Sequence, residues 1–355
     1  MTERNNIFFV RREWTPTGGA EGYLSNLSRR LIELGWICHL VCESWDKTQS
    51  AFTSVEVIGK SWPRFTQPKR FAAEANRRLE HLVGDSGIVF SMERGIRADV
   101  YRAGDGVHRA WLKRRTITGR NKSLLKRLLN PKHSTLLGLE AQTFSPEYSR
   151  CVIANSELVR QDILEYTTYP ENRIGVVTNG VNTVEFMSGN RTMGRRAMGW
   201  KADEFVCVLV GVGAERKGYK QAQEVISKLS FPAKLAIVDR QPTCSMADLY
   251  AGADVFILPT LYDPFANVTL EAMAAKLPII TTRTNGAAQF IEHGMNGFLV
   301  DTAVDISGMV AAIEQLRDNS YREQIGQNAF NTAVTRTWET HIQETLQFLS
   351  YVGVS

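Results

Sequence analysis

Apolar residues along this chain fall into short dense runs separated by longer stretches of helical periodicity, and the rhythm occurs twice. In the first half the runs at 6–13, 37–42, 55–58, 87–91, 98–103 and 150–155 predict strands. An amphipathic stretch to about Gly35, the segment 70–82 and the segment from Ser156 to about Tyr166 predict helices between them. In the second half, 205–210, 235–239, 254–258 and 278–282 predict strands, with helices at 246–251, 268–275, 305–317, 321–334 and 338–351. Runs that are apolar throughout suit strands covered on both faces, so the pattern predicts parallel sheets flanked by helices. The polar, Pro-bearing stretch TTYPEN at 167–172 is the most linker-like place. The expected domains are therefore 1–168 and 169–334, with a last helical stretch at 335–355.

Composition narrows the class. With 355 residues and 43% hydrophobic content, two domains can each bury a core. The polar opening MTERNNIFFV and the lack of any apolar run near roughly 18 residues lead to the expectation of a cytoplasmic protein with no signal peptide or spanning helix. Cys38, Cys42, Cys151, Cys207 and Cys244 form no CxxC pair and read as buried reduced thiols.

The most informative stretch is PTLYDPFANVTLE, 259–271. Pro259 ends a strand, a sharp turn follows, and Asn267 is a plausible N-cap for the next helix. Backbone N–H groups near Asn267, Val268 and Thr269 then point into the crevice at the carboxyl end of the sheet, where phosphate binds. Pro264, Phe265 and Ala266 build the turn beside them. Asp263 and Glu271 flank that phosphate position, and carboxylates suit sugar and ribose hydroxyls. The arrangement describes a nucleotide-sugar; a turn and a solvated helix face would use the same two acids. An acid, seven residues and a Glu after a strand ending in Pro resembles the E-x7-E pattern of the retaining GT-B glycosyltransferases of the GT4 family, with Asp263 in the first Glu position.

The second motif is Gly211-Val-Gly-Ala-Glu-Arg216-Lys217-Gly218 after the strand 205–210. It delivers two cations to the same crevice. Arg216 stands where a dinucleotide fingerprint needs its third glycine, which argues against a dehydrogenase. The resemblance implies a diphosphate clamp in which Arg216 and Lys217 neutralise the leaving nucleotide without a metal or cofactor. Gly18-Gly19, after the first strand, resembles the family's glycine loop beside the donor phosphates, although a plain turn would use the same pair. Asn179-Gly-Val-Asn182 resembles the element that opens the family's second domain. One departure is large. Between 235–239 and 246–251 only about six residues run, where family members insert a helix and a strand that hold the base. UDP is thus a family default.

Past the strand 98–103, Asp105 and His108 sit where α/β enzymes keep their chemistry, Asp105 the first catalytic candidate and His108 the second; a loop Asp capping the next helix is the plainer use. The run ADVYRAGDGVHRAW resembles the WaaG-like lipopolysaccharide core glucosyltransferases. Net charge is only +5, yet residues 106–139 carry nine Lys or Arg and no acid, interleaved with Trp111 and leucine pairs. Such a basic amphipathic stretch suits an anionic membrane surface, as the resemblance also implies; a solvated basic face is the simpler use, and no nucleic-acid-binding module surrounds it. Taken together, the resemblance implies a GT-B fold of two Rossmann-like domains with a cleft between them. It implies transfer of a hexosyl unit, with retention, from a nucleotide-sugar to a membrane glycolipid such as the lipopolysaccharide core. Asp263 would orient the sugar, Glu271 would hold the ribose, and the enzyme would be peripheral on the inner face of the cytoplasmic membrane. A soluble nucleotide-sugar enzyme and a non-catalytic partner subunit are the rival readings.

Overall fold

The computed structural model describes residues 6–13, 19–45, 52–60, 66–84, 87–118, 131–351 and 353. They form two compact units, one of 1–113, 119–177 and 342–355, the other of 114–118 and 178–341. No helix among the described residues is long and apolar enough to cross a membrane.

The first unit is built on seven strands: β1 (Asn6–Val10), β2 (Ile37–Cys42), β3 (Ser54–Val57), β4 (Gly87–Ser91), β5 (Ala98–Ala103), β6 (Ser149–Ala154) and β7 (Ile174–Val176). All pair in parallel, in the order β3-β2-β1-β4-β5-β6-β7. The central strands read GIVFS and ADVYRA and are buried almost end to end, because helices cover both faces. The chain leaves β1 toward β2 on one side and returns to β4 on the other. That reversal leaves a crevice at the carboxyl ends of β1 and β4. β1 ends at Val10, so Arg11, Arg12 and Glu13 emerge there.

Here the structure corrects a boundary. The run at 174–178, expected to open the second domain, supplies β7, whose Ile174–Val176 pair with Val152–Ala154 of β6. The units divide between Val177 and Thr178, later than 168, because strand pairing claims residues whose local pattern looks like a linker. The helix Trp338–Tyr351 begins in the second unit and from Ile342 belongs to the first, so the return falls after His341. Gly175 permits this, since a Cβ there would lie 2.5 Å from the Phe348 ring.

The second unit has five parallel strands: β8 (Phe205–Val210), β9 (Ala233–Val238), β10 (Val255–Leu258), β11 (Ile279–Thr282) and β12 (Phe298–Val300), in the order β12-β11-β10-β8-β9. Its core runs through Val208, Leu209, Phe256, Ile257, Leu270, Met273 and Ile280. The chain reverses between β8 and β10, so the loops after these two strands meet in one crevice. From Val238 it passes straight to the helix Met246–Gly252, which leaves β9 at the edge of the sheet. The expected short interval is therefore present. Ser156, the expected N-cap, accepts from Val159 N at 3.2 Å. The expected helix after Asn285 is a short 3-10 turn, Gly286–Phe290. Cys38, Cys42, Cys151 and Cys207 are buried free thiols, and Cys244 is half-buried.

Candidate functional site

In the second unit, β8 ends at Val210 and the short helix Ala214–Lys217 follows. Gly218 closes that turn at φ +75, and a Cβ on it would lie 2.0 Å from the Pro259 carbonyl oxygen. Only glycine lets the loop after β8 press so closely on the end of β10. The approach carries Lys217 and Arg216 onto Asp263. Lys217 Nζ donates to Asp263 Oδ2 at 2.8 Å, and Arg216 NH1 reaches the same oxygen at 3.3 Å. Lys217 and Asp263 are buried; Arg216 is partly exposed. Burial alone would raise the Asp263 carboxyl, but the two cations outweigh it and hold the group below its ordinary value. Its backbone is pinned as well, the N–H donating to Thr284 O at 2.9 Å and the carbonyl accepting from Gly286 N at 2.8 Å.

The helix Asn267–Ala274 starts at the same crevice. Ala266 is its N-cap and no side chain caps that end, which corrects the expected role of Asn267. The reason lies outside the stretch. Asn285 Oδ1 accepts from Ala266 N at 3.2 Å, and the Asn267 amide oxygen accepts from Asn179 Nδ2 at 2.6 Å. Phe265 is buried, with its ring 6.2 Å from that of Phe290, and Thr269 is buried with its hydroxyl accepting from Asn285 Nδ2 at 3.0 Å. These two side chains serve the core and leave their backbones to a ligand.

Glu271, one turn into the helix, is half-buried and accepts from the Tyr250 hydroxyl at 2.9 Å. Desolvation pushes its carboxyl up to about 7, with Glu185 adding to the rise and Tyr250 and Lys217 opposing it. Two acids eight residues apart thus stand in opposite states at neutral pH, Asp263 fully ionised and Glu271 near its midpoint.

Two family models match the sequence: "Glycosyltransferase Family 4" over residues 17–185 and "Glycosyl transferases group 1" over residues 196–332. The chain belongs to the GT-B glycosyltransferases of the GT4 type. An uncharacterized glycosyltransferase of Methanocaldococcus jannaschii is 27% identical over 241 residues, 59% of this chain and 62% of that protein. The chain thus spans about six tenths of that relative's length. The crystal structure of WaaG, a glycosyltransferase involved in lipopolysaccharide biosynthesis, superposes with a TM-score of 0.81 at 18% identity, over 97% of this chain and 99% of that one. HepE of Anabaena in complex with UDP-glucose superposes with a TM-score of 0.72 at 16% identity, over 98% and 99% of the two chains.

In the glycosyltransferase's first unit, Asp105 is exposed in the turn after β5 and accepts no hydrogen bond among the described residues. His108 begins the helix His108–Arg114, and its Nε2 lies 3.0 Å from His133 Nδ1. Burial, then Arg94, His133 and Lys132, lower it to about 4, so it is neutral at pH 7. The start of that helix is capped by the buried Glu140, which receives the N–H groups of His108 and Arg109. Capping therefore falls to a residue on the helix Pro131–Thr143 and leaves Asp105 to solvent. Gly18 lies outside the described residues, and Gly19 is the first residue of the helix Gly19–Glu33.

Of the basic segment, residues 119–130 lie outside the described residues, and with them the leucine pairs and four of the cations. Several of the others are engaged by protein. Lys113 Nζ pairs with Glu165 at 3.0 Å. Arg115, grouped with the second unit, forks onto Glu215 at 2.9 and 3.0 Å. Sequence reasoning missed Tyr250, Asn179 and Asn285. Each acts through a partner at least 16 residues away, and no local spacing signals that.

Proposed function

We propose that the chain transfers a hexosyl unit from a nucleotide-diphosphate sugar, UDP-sugar first, to a glycolipid such as a lipopolysaccharide core, with retention at the anomeric carbon. The observation that carries this reading is the cluster of Lys217, Arg216 and Asp263 beside the uncapped helix end at Asn267. It faces the crevice where the second sheet reverses. Arg216, the more exposed cation, together with the helix N–H groups, meets the diphosphate, and Lys217 adds its charge. Asp263 receives hydroxyls of the sugar, and ionised Glu271 receives the ribose hydroxyls.

The bond from the anomeric carbon to the phosphate oxygen breaks as the charge moves onto the diphosphate, where the two cations stabilise it. The acceptor oxygen bonds to the same face, and its proton passes to the departing phosphate oxygen. No divalent ion is needed in this scheme, so transfer persists in excess EDTA. UDP rather than another nucleotide is supported by the HepE complex. The glycolipid acceptor is supported by the likeness to WaaG, and a peripheral membrane position by the basic run in 106–139.

A thermal-shift panel of UDP-, GDP-, ADP- and dTDP-sugars on the wild type and on the Arg216→Ala/Lys217→Ala pair tests the donor half. Binding to the folded state must raise the melting temperature, by ligand linkage. The expected result is a rise with one nucleotide series that vanishes in the double variant. No rise with any series, in a folded chain, would favour a non-catalytic partner subunit. The edge position of β9, where relatives in this family carry a further strand, gives that second reading its one support.

A further inference from the structure

The first unit contains a cavity of about 200 Å³ at the crevice where its own sheet reverses, between the ends of β1, β4 and β5. We infer that this cavity is a subsite for an uncharged sugar ring of the acceptor, gripped between carboxylates and guanidinium groups; the inference rests on the proposed transfer reaction. Its polar wall is balanced. Arg11, Arg12 and Arg94 face it together with Glu13, Glu93 and Asp105, while Leu136, Leu139 and Pro68 supply an apolar side.

The charges are partly committed to one another. Arg11 NH1 holds Glu93 Oε1 at 3.0 Å, and the same oxygen accepts from Arg12 N at 3.1 Å. Arg94 donates to Gly106 O at 2.7 Å and stands 3.8 Å from Glu140. What is left over differs in kind. Asp105 has acceptor oxygens with no hydrogen-bond donor, and the Nε atoms of Arg12 and Arg94 are buried donors with no acceptor. A site with spare donors and spare acceptors fits a ligand whose groups both give and receive hydrogen bonds. Hydroxyls do so. The apolar wall takes the C–H face of the ring, and the volume lies below the roughly 300–1,000 Å³ typical of drug-sized ligands.

A phosphate fits poorly. It only accepts at neutral pH, it would have to draw Arg11 away from Glu93, and it would stand beside the ionised Asp105. Glu93 is already pushed above its ordinary value by desolvation and then by Asp105, so further negative charge there is unwelcome.

Binding of methyl glycosides, their 6-phosphates and the matching octyl glycosides to the full chain, followed by saturation-transfer NMR, tests this. Asp105→Asn is the first variant, since Asp105 is exposed and its replacement keeps the fold; Asp105→Lys is the second. The expected result is millimolar binding of a neutral methyl glycoside, with its phosphate at least tenfold weaker. Binding should fall about tenfold in Asp105→Asn, and the preference should reverse toward the phosphate in Asp105→Lys. Equal or tighter binding of the phosphate by the wild type would overturn the inference. So would binding of the octyl glycoside alone, which reports apolar surface, or affinities that neither substitution moves. Nucleotide-induced thermal shifts on the same samples separate the two failures: shifts retained without glycoside binding sink the subsite alone, whereas loss of both sinks the transferase reading as well.

Discussion

Lys217 is a cation with almost no water around it, and Asp263 is its one printed ion-pair partner. Replacing Asp263 with Asn leaves that charge buried without compensation, at a cost on the order of 3 kcal/mol. Chemical unfolding should show the loss directly. Arg216 is partly exposed, so Arg216→Ala should leave stability within about 0.5 kcal/mol of wild type while weakening donor binding. Glu271 supplies a pH signature. Its carboxyl titrates at about 7 in the folded chain against 4.5 ordinarily. Between those values the folded chain keeps a proton that the unfolded chain has lost. The contribution of this group is therefore fully present below about 4.5, falls as pH rises, and is gone above 7. Measured from pH 5 to 8, wild-type stability should decline relative to Glu271→Gln. Tyr250→Phe removes a hydrogen bond that favours the ionised form. In that variant the donor KM should rise about tenfold at pH 7 and approach wild type at pH 9, with kcat less affected.

At the scale of elements, the site depends on close approach between loops as much as on its charged groups. Gly218→Ala places a Cβ against the Pro259 carbonyl in a left-handed backbone and should cost about 2 kcal/mol or more. It should also pull Arg216 and Lys217 off Asp263, so loss of nucleotide-induced thermal shift should accompany the lower melting temperature. The strands were legible in the sequence because each is an unbroken apolar run, and 37–42, 87–91, 98–103 and 205–210 agree residue for residue with β2, β4, β5 and β8. The caps were legible only where one side chain serves its own turn, as Ser156 does. At Asn267 and Asp105 local chemistry pointed to a cap, and distant residues, Asn285 and Glu140, supplied it. The pairing of Asp263 with both cations was likewise hidden, because the sequence places Lys217 and Asp263 46 residues apart.

At the scale of the whole molecule, the chain returns to its first unit at the end. From Ile342 the last helix buries Ile342 and Leu349 and sets Phe348 against Gly175, and Arg150 NH2 donates to Gly353 O at 3.0 Å. Truncation after His341 should therefore destabilise the first unit, by about 3–6 kcal/mol for two buried aliphatic side chains. Probes in that unit should unfold at lower urea while those in the second unit hold. The sequence by itself determined the two α/β units, the order of most strands and the residues of the nucleotide-sugar crevice, since periodicity and glycine placement are local properties of a chain. Tertiary structure decided where the units divide, which acid is ionised and which sits near neutrality, and which side chains cap the helices of the site. Those outcomes depend on strand pairing, desolvation and partners far away along the chain, and they exist only once the fold has brought them together.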